Sequence, residues 1–345
     1  MDNKTAKCFL VLTNKEQWTS YINKSFEFDF YHSWDYHVVN NHTGEPLLFV
    51  YEEGHDFIAI PFLKRAVPDS NLSDLTSAYG YLGPVSNKKM KDITSSMKLN
   101  FELAFKEFVK EHHVVSVFSR LHPFFQQNLL LSHLGGVQDN GKTIYMDFSV
   151  SLDEQRKRYH SRLLRQIRQL RKRSYIIKEA TTDKEIASFT EIYQENMLRL
   201  AAAPNYYFSK AYFQKLIGNQ SINCKLILIY EEEKIICGAI IGYSAGIIRN
   251  HLSATHKDHI KDSPSKLLTD EISVIGRNMG MQYFHLGGGL GGKDDSLFAF
   301  KSNFSKLVLD DHIWCYIADE KVYHSLVEQR DIHPNRRTFF PLYRS

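Results

Sequence analysis

The second half of the chain carries the clearest hydrophobic pattern. Ser174–Ala180 alternates as a strand does. A helix follows from a cap at Thr182 or Asp183 to about Leu200, with Glu185 near its first turn. A second helix starts at Ser209 and ends at Gly218. Three strands come next, Lys225–Tyr230, Ile235–Tyr243 and Ile247–Ala254, joined by short turns at Glu231–Lys234 and Ala245–Gly246. Ser263-Pro264 opens a helix that runs to Met279 and stops at Gly280, with the proline where an early helical position tolerates it. Gln282–Leu286 is a short strand ending in glycines. Asp294–Phe304 is helical, with two acids at its positive end. Lys306–Asp310 and Ile313–Ala318 close the series as strands.

The first half repeats this plan. Leu47–Phe62 and Leu226–Ile241 align without gaps as an apolar run, Tyr-Glu-Glu and a second apolar run. After the first hairpin the pattern predicts a strand near Leu75–Tyr79, a helix at Lys89–Glu111 and a strand at Val114–Arg120. A helix from His122 or Pro123 and a strand at Thr143–Phe148 follow. Two tandem copies of one α/β unit account for this, divided near Val150–Arg156 into domains 1–150 and 151–345. No low-complexity linker marks the division.

Composition narrows the class. The 345 residues are 43% hydrophobic and 24% charged, so each half can build an ordinary core. Cys8, Cys224, Cys237 and Cys315 lack C-x-x-C spacing and sit in apolar runs, which predicts buried, reduced thiols. No H-E-x-x-H or Cys/His cluster is present, so no metal site is expected. The apolar run Cys8–Leu12 is too short for a signal sequence, and no stretch is long enough to span a membrane. The expectation is a cytoplasmic protein, with peripheral membrane contact left open.

The net charge of +4 conceals one local feature. Residues 156–173 hold nine Lys/Arg and no acid; the rest of the chain has 34 basic against 39 acidic residues. Within this segment Tyr159, Leu163, Ile167 and Leu170 fall on one helix face, while Arg162, Arg165, Arg168 and Lys172 fall elsewhere. Contact with phosphate is one reading, on tRNA, a nucleotide-linked sugar or anionic headgroups. A solvated helix between domains is the other.

The densest candidate chemistry is His285–Lys301, HLGGGLGGKDDSLFAFK. Its glycines allow positive φ and close approach of a ligand to the backbone, and a helix start adds N–H groups. The motif fails as a P-loop because Asp294 follows Lys293. A surface turn is the plain alternative. Lys301 lies within a largely apolar stretch, either solvated or aimed at a site. Tyr206, Tyr207 and Phe208 either staple a helix start or line a channel. Asn250 and His251, towards the end of a central strand, face the same expected cleft.

HLGGG followed by DDSLFAFKSNFS resembles the signature of the Fem family of peptidoglycan-bridge aminoacyltransferases and their FemAB-like GNAT relatives. Supporting pieces are Tyr79–Pro84, Arg120–Pro123, Tyr193–Met197 with Arg199, Tyr206–Ser209 and His251–Thr255. The order β-α-α-β-β-β-α-β-α-β-β is also that of the GNAT fold. The resemblance implies an α/β (α+β) chain of two tandem GNAT-like domains, each a mixed, mostly antiparallel sheet flanked by helices. It implies substrate held in the second domain or between the two. The family's F-K-x-x-F lysine, implicated in catalysis, matches Lys301.

An ammonium and backbone N–H groups at this place would stabilise the oxyanion formed when an amine attacks an ester or thioester. His285, Gly287, Gly288, Gly289, Asn250, His251, Ser296 and Tyr206 are the expected substrate contacts. Asp294, Asp295, His285 and His251 are base candidates by residue type alone. The expected function is N-acylation or N-aminoacylation of an amine on an envelope precursor, a peptidoglycan or amino-sugar intermediate. No cofactor is expected to stay bound; the acyl donor is a co-substrate, aminoacyl-tRNA or acyl-CoA. Two departures bear on it. The connection Thr255–Lys266 lacks the glycines of a CoA pyrophosphate loop, and no coiled-coil insertion is present. An acyl-CoA N-acetyltransferase of polysaccharide synthesis and an inactive polyanion-binding module stay as alternatives.

Overall fold

The computed structural model describes residues 9–330 and 339–345. Cys8 lies outside them; Cys224, Cys237 and Cys315 are buried free thiols. The chain forms two compact units, residues 1–140 with 310–345 and residues 141–309.

The first unit contains β1 (Phe9–Leu12), α1 (Lys15–Lys24), α2 (Trp34–Val39), β2 (Glu45–Glu53), β3 (Asp56–Ala66), β4 (Ser73–Thr76) and β5 (Val85–Ser86). It continues with α3 (Ser95–Glu111), β6 (Val114–Arg120) and the single turn α4 (Asn128–Leu131). Strand β7 (Val137–Asp147) leads into the second unit. There lie α5 (Leu152–Lys157), α6 (Ser161–Leu170), β8 (Tyr175–Glu179), α7 (Asp183–Arg199), α8 (Lys210–Gly218), β9 (Cys224–Glu231) and β10 (Lys234–Ser244). They are followed by β11 (Ile247–Thr255), α9 (Ser265–Asn278), β12 (Tyr283–Gly287) and α10 (Ser296–Ser302). Strand β13 (Leu307–Ile317) returns to the first unit, and α11 (Glu320–Glu328) follows it.

The two copies share one topology. The first sheet runs β1-β2-β3-β4-β6-β13 and the second β8-β9-β10-β11-β12-β7. Each has a single parallel pair, β4 with β6 and β11 with β12, and is otherwise antiparallel. The fold class is therefore as the sequence implied. The last strand of each copy is exchanged: β7 comes from the first repeat and pairs with β12, and β13 follows the second repeat and pairs with β6. This exchange sets the units apart from the expected 1–150 and 151–345. The C-terminal residues stay with the first unit because Tyr343 and Arg344 both bond the buried Asp74.

In the first unit α3 lays Phe101, Phe105 and Phe108 against Phe49, Ile60 and Trp314. Trp18 and Ile22 of α1 cover the opposite sheet face with Leu48 and Val50. In the second unit Leu163, Ile167 and Leu170 of α6, with Leu268 and Ile272 of α9, cover Ile227, Ile241, Ile248 and Phe284. Helix α7 packs on the other face, where Gly238 is needed: a Cβ there would lie 2.6 Å from the Phe189 ring.

Candidate active site

Helix α10 has seven residues, too few to persist alone. Its C-terminal end is held by aromatic packing. Phe304 is buried, with its ring 5.3 Å from Tyr159 and 5.4 Å from Phe300. Phe298 and Phe300 pack partly into the same core. These anchors explain the F-K-x-x-F spacing. The phenylalanines face the core, and the intervening Lys301, half-buried, reaches back over the glycine loop. Its Nζ donates to the Gly288 carbonyl at 2.5 Å.

The N-terminal end of α10 is held by Asp295. Its Oδ1 accepts the Phe298 N–H at 2.9 Å and its Oδ2 the Leu290 N–H at 3.0 Å. One carboxylate therefore ties the loop to the helix. Partial burial pushes the Asp295 pKa up, but the N–H groups of Phe298, Leu290 and Leu297, and then the Lys301 charge, outweigh it and leave it lowered. The sequence suggested that the helix start offers its N–H groups to a ligand. The Asp295 side chain already takes that of Phe298.

The glycines have a structural cause as well. A Cβ on Gly288 would lie 2.7 Å from the Lys142 carbonyl, and one on Gly289 would overlap the Lys293 carbonyl at 1.9 Å. Gly287 has φ +79°. The close approach at Gly288 and Gly289 is thus by the protein's own backbone. Gly141 on β7 takes part too, since its Cβ would meet the Gly292 carbonyl at 2.2 Å. Nothing in the pattern around Gly141 marked it.

His285 is buried on β12 opposite Arg249 of β11. Its Nδ1 lies 2.5 Å from an Arg249 guanidinium nitrogen. Guanidinium only donates, so Nδ1 accepts and the ring hydrogen is assigned to Nε2. Asn250 and His251 follow Arg249, where a bulge shifts the β10–β11 register. The Asn250 Oδ1 is buried and has no hydrogen-bond partner among the described residues. Ser296 is exposed at the first turn of α10. The β11–β12 pairing sets His285 beside Arg249, next to Asn250 and His251 in the chain, and the loop after β12 brings Gly288 to Lys301. Tyr206 belongs to another region, the turn between α7 and α8, where its carbonyl accepts from the Tyr193 hydroxyl at 2.9 Å.

The basic segment is less uncompensated than its sequence suggests. Arg156 and Arg171 both bond the fully buried Asp270, which also accepts from the Tyr159 hydroxyl. Arg173 pairs with Asp262 at 2.8 Å, and Lys157 and Arg158 lie 3.6 Å and 3.7 Å from Glu154. Arg162, Arg165 and Arg168 are exposed along α6, spaced by three so that they share a side. The connection from β11 to α9 contains one short turn, Lys257–His259, capped by the His256 ring.

No family model and no curated protein matches the chain. Solved structures do. The chain resembles FemX at a TM-score of 0.71 and 11% identity, over 92% of this chain and 99% of that one. It resembles L-PGS from Bacillus licheniformis at a TM-score of 0.56 and 14% identity, over 92% and 96%. The C-terminal domain of a putative lysylphosphatidylglycerol synthetase from Agrobacterium fabrum matches at a TM-score of 0.54 and 14% identity, over 89% and 92%. Similarity at such low identity concerns the fold. The chain shares the fold of FemX.

Proposed function

We propose that the chain is an acyltransferase that moves an aminoacyl or acyl group onto an amine of a cell-envelope precursor, a peptidoglycan or amino-sugar intermediate. The observation that carries this reading is Lys301. Its ammonium is fixed on the Gly288 carbonyl by a helix anchored at both ends, at the tip of β12. The fold shared with FemX supports it.

The chemistry follows from the charge that must appear. The amine attacks the donor carbonyl, a C–N bond forms and the carbonyl oxygen becomes an oxyanion. The Lys301 ammonium carries three N–H donors, and one of them holds it on the Gly288 carbonyl. An N–H turned towards the oxyanion stabilises it without reorganisation, because the ammonium is already in place. The intermediate collapses, the C–O bond breaks, and the leaving oxygen takes a proton while the amine nitrogen loses one.

Aminoacyl-tRNA is the donor we favour. Residues 256–264 contain no glycine, so the β11–α9 connection lacks the flexible backbone of a pyrophosphate loop. Exposed Arg162, Arg165 and Arg168 offer contacts for a phosphate backbone. The test is a panel of labelled aminoacyl-tRNAs and acyl-CoAs with amino-sugar and peptidoglycan-precursor amines. Phosphatidylglycerol is included because one similar structure is named for its lysyl ester. Label moving from tRNA to an amine supports the proposal. Transfer from CoA alone overturns the donor. Absence of transfer, with salt-sensitive RNA binding, replaces the enzyme by a polyanion-binding module.

A further inference from the structure

The segment joining α7 to α8 displays its large apolar side chains to water. Leu198 is 72% exposed, Leu200 55% and Tyr207 39%. Ala201, Ala203 and Pro204 between them are exposed as well. The base of the segment is firmly held. Phe208 is buried and stacks on Tyr212 with centroids 4.3 Å apart. Gln194 donates to the Phe208 carbonyl at 3.0 Å, and Ser209 caps α8 through the Tyr212 N–H. Ala201 has φ +48°, a conformation disfavoured for alanine. The outward leucines are therefore fixed by the backbone beneath them. Large apolar side chains exposed together in one short segment mark a contact with something less polar than water.

The charge around it identifies what that is. No Asp or Glu occurs from Asn196 to Tyr230, while Arg199, Lys210 and Lys215 flank the apolar tip; the adjacent Glu195 is paired with Lys257 at 3.4 Å. Leucines and a tyrosine between cations match the boundary of an anionic bilayer, where acyl chains receive the leucines, the tyrosine sits at headgroup depth and the cations meet phosphates. A second copy fits worse. An isologous pairing would set Arg199, Lys210 and Lys215 against their own equivalents. No helix among the described residues is long and apolar enough to cross a membrane, so the contact is at the surface.

We propose that the tip formed by Leu198, Leu200 and Tyr207 docks this protein onto an anionic lipid surface. The inference is independent of the transfer reading, because lipid binding needs no donor. The test uses the full chain with vesicles of phosphatidylcholine alone or mixed with phosphatidylglycerol, read by co-sedimentation. Binding is expected on the mixed vesicles, weak on phosphatidylcholine and falling with salt. The double change Leu198→Ser and Leu200→Ser should weaken it by about tenfold or more. Arg199→Gln and Lys210→Gln should each weaken it by about fivefold, on mixed vesicles only.

Tyr207→Trp provides a second readout that does not depend on the leucine variant folding. Its added emission should shift to the blue and be quenched by brominated lipid. Absence of vesicle binding at low salt, or an unquenched tryptophan at that position, overturns the proposal. So does a leucine variant that binds as wild type. A concentration-dependent dimer abolished by the leucine changes also overturns it, naming a second copy as the occupant.

Discussion

Asp295 should govern the order of the Lys301 helix, and its two oxygens allow the effect to be divided. Oδ1 accepts the N–H of Phe298 in the first turn of α10, and Oδ2 accepts the loop N–H of Leu290. Replacing a helix cap by alanine costs about 1 kcal/mol, and a further hydrogen bond is worth about 1 kcal/mol. Asp295→Ala should thus weaken the local structure by about 2 kcal/mol, which is roughly thirtyfold in an opening equilibrium. Hydrogen exchange read at single amides should show Leu290 and Phe298 exchanging about thirtyfold faster.

The change Asp295→Asn leaves one acceptor oxygen instead of two, and asparagine caps as well as aspartate. In that variant the Phe298 amide should therefore stay within about threefold of wild type, while Leu290 exchanges about tenfold faster. The pH dependence has a definite sign. The carboxyl is held below its ordinary value in the folded chain, so its contribution is complete above about pH 4 and is lost as pH falls further. After correction for intrinsic exchange, protection should be level from neutral pH down to that point. Unchanged protection at residues 288–298 in Asp295→Ala would refute the tether.

Other consequences can be read separately. Asp270→Ala leaves Arg156 and Arg171 without their buried partner and should destabilise the chain by about 3–5 kcal/mol in urea unfolding. Arg162→Gln, Arg165→Gln and Arg168→Gln are exposed changes and should each stay within about 0.5 kcal/mol in the same assay. Gly289→Ala must displace the Lys293 carbonyl and should abolish transfer. Gly291→Ala, with φ +60° but open space around it, should cost only about 1–2 kcal/mol and retain transfer. Phe304→Ala empties the anchor of α10 and should lower stability by about 3–5 kcal/mol by denaturant titration.

Much of the fold could be read from periodicity, because its sheets are built from sequential neighbours. The hairpins β2–β3 and β9–β10 are where the repeat placed them. The gapless alignment is nevertheless one residue out of step: the turns are Gly54-His55 and Glu232-Glu233, and only the second hairpin carries a bulge, at Ile236. The exchange of β7 and β13 was not legible, since pairing between distant strands leaves no local pattern. Strand β13 reads as two pieces because Asp310, Asp311 and His312 interrupt it. Arg120 and Asn140, at 2.6 Å and 2.7 Å, bond Oδ2 of the buried Asp311, which lets the strand continue through it. β1, α1 and α2 went unassigned, although Asn14 and Ser33 cap their helices as a cap search would find.

At the site, the lysine was legible from its motif, whereas the cause of the glycines was not. Their neighbours are carbonyls of Lys142, Lys293 and Gly292, positions that spacing cannot connect. The same holds for the basic segment, whose counter-charges Asp262 and Asp270 lie about a hundred residues along the chain and meet it only through folding.

The most direct test of the account is the single-turnover rate of transfer in Lys301→Met, measured with the donor that the wild-type protein accepts. Loss of a preorganised oxyanion donor typically lowers the rate by about 100-fold or more. That fall, with donor affinity within a few-fold of wild type, is what the account predicts. A Lys301→Met protein that transfers within a few-fold of the wild-type rate contradicts it.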